Sequence, residues 1–211
     1  NRLSKGGGVQ TKGGVVVGGC NNVIRGNGQF SIIGAGEGND ICDSLNSVLV
    51  GGYNNFITKG GENQSPHYGF IGGGCFNSIL DGEMGVIAGG YNHSLSAAKC
   101  SGVLAGRDNC IKSHNYGVIV GGFDNSLLAN ESGGTAGTSF IGGGRNNTVY
   151  GSRTIVVGGS ANIAKGDQNF IGGGCNNTVT NGNATIVGGL SLSFLGKRIL
   201  KLIDDLFKRI P

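Results

Sequence analysis

One phrase recurs along this chain, and its recurrence restricts the possible folds more than any other feature. Residues 170–189 read FIGGGCNNTVTNGNATIVGG, and residues 70–90 read FIGGGCFNSILDGEMGVIAGG. Aligning all copies on the last glycine of each Gly-Gly or Ala-Gly pair gives eleven copies, 15–17 residues apart except for two intervals of 22. We call these glycines the anchors: Gly19, Gly36, Gly52, Gly74, Gly90, Gly106, Gly122, Gly144, Gly159, Gly174 and Gly189.

Three columns of the alignment keep their chemistry. The residue three before the anchor is aliphatic in all eleven copies, and the residue five after it is apolar in all eleven. The residue three after it is asparagine in nine copies, with His93 and Leu192 as the exceptions. The asparagines are Asn22, Asn39, Asn55, Asn77, Asn109, Asn125, Asn147, Asn162 and Asn177.

This pattern predicts an all-β fold, because it lacks the 3.6-residue period of helices and is rich in Gly and β-branched residues. A copy of 15–17 residues suffices for two short strands and two tight corners, which is one coil of a parallel β-solenoid. Eleven coils stacked at about 4.8 Å would form a rod of roughly 50 Å. The aliphatic columns are expected to fill the interior, and the asparagines to form a structural hydrogen-bonded ladder. We expect a lead-in over residues 1–12 and the solenoid over residues 13–192.

Phrases such as VVVGGCNNVIRGNGQFSIIGAGEGN and IGGGRNNTVYGSRTIVVGGSAN resemble the head repeats of trimeric autotransporter adhesins, the YadA-like heads. Related repeats occur in tail-fibre-like proteins. The resemblance covers roughly residues 13–190 and implies a left-handed β-roll that assembles as a homotrimer. The repeats here are longer and less even than in that family, and the chain carries six cysteines, which those exported adhesins generally avoid.

Composition excludes several classes. The 46 glycines have no three-residue period, which excludes collagen, and no stretch reaches the roughly 18 apolar residues of a membrane span. Outside residues 191–211, eleven basic residues face ten acidic ones, so we expect no nucleic-acid partner. There is no phosphate-binding loop, no recurring carboxylate pair and no regular Asp. The sequence therefore predicts no catalytic residues, no cofactor and no metal.

The cysteines are expected to be free thiols. Cys20, Cys75 and Cys175 share one column, but even the first two lie about 14 Å apart at the stacking distance, too far for a disulfide. Free thiols would fit a chain assembled in a reducing cytosol. Disulfides between chains and a metal site are the alternatives, although no CxxC motif or histidine pair is present.

The two 22-residue intervals contain insertions, within residues 59–69 and 129–139. Insertions in a solenoid emerge as loops on one face, which is often the binding face. The candidate contact residues are therefore in these loops, with surface loops of no particular role as the alternative. They are Asn63, His67, Tyr68, Asn130 and Glu131.

The last segment, residues 193–211, changes to a helical period with an apolar face and a basic face. We expect a short amphipathic helix, with Ser193 as a possible cap. Three roles are open: a trimerising helix, a helix docked on the open solenoid edge, or a membrane-surface helix. Membrane contact is expected through this helix only. The residues expected to trimerise are Ile199, Ile203, Leu206 and Ile210.

The expected function is that of a non-catalytic trimeric surface or fibre module that contacts a cell-surface receptor or glycan. The cysteines favour a virion or tail-fibre component, and a bacterial surface adhesin head is the alternative. A β-helix enzyme acting on polysaccharides would need clustered acidic or basic residues on one face. An ice-binding solenoid would need a regular threonine array, whereas the threonines here are scattered.

Overall fold

The computed structural model describes residues 1–4, 12–59, 68–129 and 134–194. All regular secondary structure in these residues is β-strand, with no helix, and every strand pair is parallel. The chain winds as a stack of coils, so each strand pairs with its equivalents in the coils before and after it. The prediction of an all-β parallel solenoid is confirmed.

Sheet 1 contains twelve of the described strands, each following the asparagine column. Their bounds are Arg2–Ser4, Val23–Arg25, Asp40–Cys42, Phe56–Thr58, Ser78–Leu80, Ser94–Ser96, Cys110–Lys112, Ser126–Leu128, Thr148–Val149, Ile163–Ala164, Thr178–Val179 and Ser193–Phe194.

Sheet 2 contains eleven of the described strands, each preceding an anchor glycine. Their bounds are Val15–Val16, Ile32–Ile33, Val48–Leu49, Phe70–Ile71, Val86–Ile87, Gly102–Val103, Val118–Ile119, Phe140–Ile141, Ile155–Val156, Phe170–Ile171 and Thr185–Ile186.

The core lies between the two sheets and is built from the two apolar columns. Sheet 2 contributes the residue three before each anchor and sheet 1 the residue five after it, for example Ile87 and Leu95, both fully buried. Val16 in the first coil is only partly buried. Similar aliphatic side chains therefore stack along the rod, and each coil buries an apolar face that it could not bury alone.

The anchor position requires glycine for two reasons. All eleven anchors have a positive φ, from +83° at Gly19 to +144° at Gly189, with +109° at Gly90. A Cβ atom on Gly19 would also fall on the carbonyl oxygen of Gly36 in the next coil. The invariant column is thus explained by backbone conformation and by close approach between coils.

The solenoid extends beyond the predicted boundaries at both ends. Arg2–Ser4, inside the expected lead-in, pairs with Val23–Arg25, because Asn1 to Ser4 repeat the asparagine-and-strand part of a coil without its anchor. Ser193–Phe194, inside the expected helix, pairs with Thr178–Val179 as a further strand. Within the second insertion, Ala136–Gly137 pairs with His114–Asn115 in a separate two-stranded sheet.

Candidate functional site

The asparagine column forms a hydrogen-bonded ladder along one corner of the solenoid. The Asn39 side-chain oxygen Oδ1 accepts from the backbone N–H and from Nδ2 of Asn55, both at 3.1 Å. Its Nδ2 donates to the carbonyls of Ala35 at 3.2 Å and Gly52 at 2.9 Å. One side chain therefore satisfies the backbone of its own corner and of the next.

All nine asparagines of the column are fully buried. Buried amides are costly unless hydrogen-bonded, so this repeated bonding makes a polar column compatible with the core. The ladder also includes Asn1, whose Oδ1 accepts from the backbone N–H of Asn22 at 3.3 Å. At its other end, the backbone N–H of Leu192 donates to Asn177 Oδ1 at 3.0 Å.

His93 is fully buried in the middle of this ladder. Its backbone N–H donates to Asn77 Oδ1 at 3.0 Å, and its Nδ1 accepts from the backbone N–H of Asn109 at 3.1 Å. Its Nε2 faces Gly106 without a hydrogen bond of normal geometry. Burial lowers the pKa of His93, so the neutral ring is favoured, with its proton on Nε2.

A second polar ladder runs along the opposite corner, five residues before the anchors. The Ser101 hydroxyl donates to the His114 carbonyl at 3.0 Å and accepts from the backbone N–H of Gly117 at 3.0 Å. The same position accepts backbone N–H groups in other coils. Sequence reasoning missed this ladder, although the column holds only small or amide side chains. Its polar members are Ser31, Ser47, Ser101, Ser139, Thr154 and Asn169.

His114 lies beside this second ladder and is fully buried. Its Nδ1 lies 3.3 Å from the carbonyl of Leu128, and its Nε2 has no partner among the described residues. Burial lowers the pKa of His114 as well. His93 and His114 are in different coils, with different neighbours, and so they do not form a joint site.

The outer face of sheet 2 is apolar along nearly its whole length, with Thr185 as the one hydroxyl side chain of its outward columns. Its two outward columns lie four and two residues before the anchors, and together they supply twelve of the exposed large hydrophobic side chains among the described residues. Neither column contains a charged residue. The twelve are Val15, Val17, Ile32, Val50, Phe70, Val86, Leu104, Val120, Phe140, Ile155, Val157 and Val187.

Where the first outward column has phenylalanine, the second outward column has glycine in the same coil. A Cβ on Gly72 would lie 3.4 Å from the Phe70 ring, and one on Gly142 would lie 3.3 Å from the Phe140 ring. Each ring therefore extends over the adjacent glycine and occupies the space that a valine fills in other coils. The result is an even apolar surface despite the change in residue size.

All six cysteines are free thiols. Burial, together with a hydrogen bond to Asp43, raises the pKa of Cys42, and burial raises the pKa of Cys110. A raised pKa keeps these two thiols protonated, which is unfavourable for nucleophilic chemistry. No group of three or more metal-ligating side chains occurs in the described part of the chain.

Of the five predicted contact residues, only Tyr68 belongs to the described part, and its side chain is exposed. Asn63, His67, Asn130 and Glu131 lie outside the described residues, as do the predicted trimerisation residues Ile199, Ile203, Leu206 and Ile210.

Comparison of the chain with family models and with curated proteins finds no match. In the described residues, no helix has the length and apolarity needed to cross a membrane. Function is therefore inferred from the surfaces and buried groups of this chain.

Proposed function

We propose that this chain is a non-catalytic attachment or structural module that works as a homotrimer, with the outer faces of sheet 2 packed together around the assembly axis. The observation that carries this proposal is the apolar outer face of sheet 2. The trimer itself, and a left-handed winding of the coils, follow from the resemblance to the YadA-like heads.

The size of the apolar face supports a covering partner. Eleven strands give it a length of about 50 Å, and its two columns are about 7 Å apart. The strip between the two columns thus covers about 350 Å², which is comparable to the largest apolar patch of a typical monomer, a patch that is often functional. Side chains such as Val50, 50% exposed, and Val187, 81% exposed, would lose most of this exposure in an assembly.

A second copy of the chain is the occupant that best fits this face. The face repeats the same two columns at every coil, so another copy offers an equally regular and equally uncharged surface. The evenness produced by pairs such as Phe70 with Gly72 suits packing against another flat sheet. Closed rotational symmetry would cover every copy of the face at once.

The larger assembly is proposed to be a virion or tail fibre, with a bacterial surface adhesin head as the alternative. The six free thiols support the first, because they are compatible with assembly in a reducing cytosol and are uncommon in exported proteins. Protein isolated from its native particle should therefore yield six thiols per chain on alkylation after unfolding. Native disulfides would favour the exported adhesin instead.

Light scattering of the purified full chain tests the assembly directly. The proposal predicts a mass of three chains that persists on dilution and in high salt, because the contact is apolar and uncharged. A mass of one chain at all concentrations would overturn it. A stable dimer would keep sheet 2 as an interface but reject the threefold assembly.

A further inference from the structure

A row of aromatic and arginine side chains projects from the corner that holds the asparagine ladder. It uses the residues one or two positions after the anchors of six consecutive coils, where equivalent positions are joined by parallel bridges. We call this row the corner ridge. Its members are Tyr53, Phe76, Tyr91, Arg107, Phe123 and Arg145.

Each member of the corner ridge contacts the next. The Phe76 ring packs edge to face against Tyr53 at 5.4 Å and against Tyr91 at 5.7 Å. The Arg107 guanidinium lies 5.3 Å from the Tyr91 ring centre and 5.6 Å from that of Phe123. The Arg145 guanidinium also lies 5.6 Å from the Phe123 ring centre. Five coil spacings make the ridge about 24 Å long.

The backbone holds the ridge rigidly. The Tyr53 N–H donates to the carbonyl of Gly74, and the Tyr53 carbonyl accepts from the N–H of Phe76. Corresponding bonds fix Tyr91 and the coils that follow. The exposed side chains thus project from a preorganised backbone, which lowers the entropy lost when a ligand binds. Tyr53, Phe76 and Tyr91 are each about two-fifths exposed, with 42%, 42% and 43% of their surface accessible.

A polar row runs beside the ridge, two residues after the anchors. Its side chains are planar amides and carboxylates: Asn54, Asn92, Asp108, Asp124 and Asn146. Positive φ values explain the choice of Asn and Asp for the backbone. Their side chains nevertheless provide donors and acceptors in five of the six coils, although Asn92 Nδ2 already donates to Asp108 Oδ1 at 2.8 Å.

The charges of this corner cancel. Arg107 is held by Asp108, with Nε donating to Oδ2 at 3.0 Å. The second arginine, Arg145, has one acidic counterpart by formal charge, Asp124 in the preceding coil. A ligand with many negative charges, such as a nucleic acid or a sulfated glycan, would need an excess of positive charge here. The corner ridge instead combines aromatic rings with amides and with charged groups whose formal charges sum to zero.

We propose that the corner ridge binds an extended, uncharged, β-1,4-linked hexose polysaccharide. Aromatic faces attract the positively polarised C–H faces of sugar rings, while the amides, carboxylates and guanidinium groups can hydrogen-bond sugar hydroxyls. The spacing favours an extended chain: the exposed rings of Tyr53 and Tyr91 lie two coils apart, at about 9.6 Å, whereas the Phe123 ring is less exposed and contacts the guanidinium groups of Arg107 and Arg145. An extended β-1,4-linked hexose chain presents equivalent ring faces at every second sugar, a closely similar repeat.

This inference deepens the attachment role proposed above by naming a ligand class, but it does not need the trimer. The ridge lies within one chain. A monomer that binds the glycan would support the ridge and reject the assembly, whereas a trimer that binds no glycan would do the reverse.

Calorimetric titration of the full chain with defined oligosaccharides tests the inference. The probes are cellohexaose, β-1,4-mannohexaose and chitohexaose, with their disaccharides and the α-linked maltohexaose for comparison. At least one β-linked hexaose should bind about tenfold or more tighter than its disaccharide, because it spans several ring positions. It should also bind tighter than maltohexaose, which lacks the two-sugar repeat.

The variant that combines Tyr53→Ala with Tyr91→Ala should weaken this binding by about tenfold or more. The Tyr-to-Phe pair at the same positions should keep most of it, because the rings remain. The matched control is Tyr116→Ala, since Tyr116 is 61% exposed and lies away from the ridge. Circular dichroism and thermal unfolding verify that each variant is folded.

Three results would overturn the inference: no binding by any β-linked hexaose, equal binding by the double alanine variant, or loss of binding in the Tyr116 control. Salt-sensitive binding of a heparin hexasaccharide alone would also overturn it, because the contact would then depend on arginine charge.

Discussion

Sheet 1 and sheet 2 send the same kind of side chain into the core, but their outward side chains differ. The outward columns of sheet 1 mix hydroxyls and charges, such as Ser94 and the Arg25–Asp40 ion pair, with half-buried apolar side chains such as Phe56 and Leu128. None of the exposed large hydrophobic side chains of the described residues lies in these columns. The outward columns of sheet 2 supply twelve of them.

This difference separates what the solenoid needs from what its function needs. Stacking requires the inner columns, the anchor glycines and the polar ladders. None of these depends on the outward side chains of either sheet. The apolar exterior of sheet 2 adds nothing to the interior of a single chain. It is therefore best explained by contact with another molecule, for which we propose further copies of the chain.

The largest expected effect comes from placing charge on each exterior in turn. Combining Val50→Lys with Val157→Lys would put two ammonium groups into the proposed interface, so we predict that the assembled mass falls to that of one chain. The matched control combines Ser94→Lys with Ser126→Lys on sheet 1 and should keep the assembled mass. Light scattering measures both, and equal behaviour of the two variants would remove the functional distinction between the sheets.

Truncation of a core residue should have the same effect on stability in either sheet. Ile87 in sheet 2 and Leu95 in sheet 1 belong to neighbouring strands of the winding and are both fully buried. Truncating either to alanine should lower the free energy of unfolding by about 2–5 kcal/mol, because each substitution leaves a cavity. Denaturant unfolding measures this loss. A loss confined to one of the two variants would show that the sheets differ inside as well as outside.

Acid should weaken the fold while leaving the sheet 2 contact unchanged. The pKa values of His93 and His114 are lowered by burial, so below the ordinary pKa of about 6.5 the unfolded chain binds protons that the folded chain does not. The free energy of unfolding should therefore fall as the pH drops from about 7 to about 5. The uncharged sheet 2 face predicts that the assembled mass stays constant over any part of this range in which the chain remains folded.

The variant His93→Asn tests how much of this pH dependence is due to His93. An asparagine here could donate to the carbonyls of Gly89 and Gly106 and complete the ladder, which should raise the free energy of unfolding at neutral pH by about 1 kcal/mol. It should also reduce the slope of stability against pH, leaving the share due to His114. An unchanged slope in this variant would show that the ring of His93 is not responsible for the pH dependence.

The smallest effect is expected on the exterior of sheet 1. Arg25 Nη2 lies 2.7 Å from Asp40 Oδ2, but the Arg25 side chain is 49% exposed. The Asp40 hydrogen bond and charge raise the pKa of Arg25, yet solvent screening keeps the gain small. Asp40→Asn should lower the free energy of unfolding by only about 0.2–1 kcal/mol in low salt, and by less in high salt.

The parts of the fold that were predictable are those where one residue type suits every coil. The anchor glycines and the asparagine column repeat because the same backbone geometry recurs, so their positions can be aligned by eye. The second ladder is chemically repeated but not identical, since Ser101, Thr154 and Asn169 all accept a backbone N–H group. An alignment by identity therefore passes over it.

The surfaces were harder to predict because they depend on contacts between columns. Phe76 comes from a different column than Tyr53 and Tyr91, and only the stacked geometry brings the three rings together. The first strand, Arg2–Ser4, was missed because it has no anchor glycine before it. In the sequence, valine, isoleucine and glycine flank the inner column of sheet 2. Alternation of side chains alone does not predict that another molecule covers the outer face of this sheet.

Covalent surface footprinting of the full chain in solution tests the central claim most directly, because it reads the exposure of each side chain in the assembled state. Phe70 and Phe140 on sheet 2 are 37% and 36% exposed in the single chain, while Tyr116 is 61% exposed and lies outside that face. The account predicts strong protection of both phenylalanines and full labelling of Tyr116. Labelling of Phe70 and Phe140 in proportion to their single-chain exposure would contradict it.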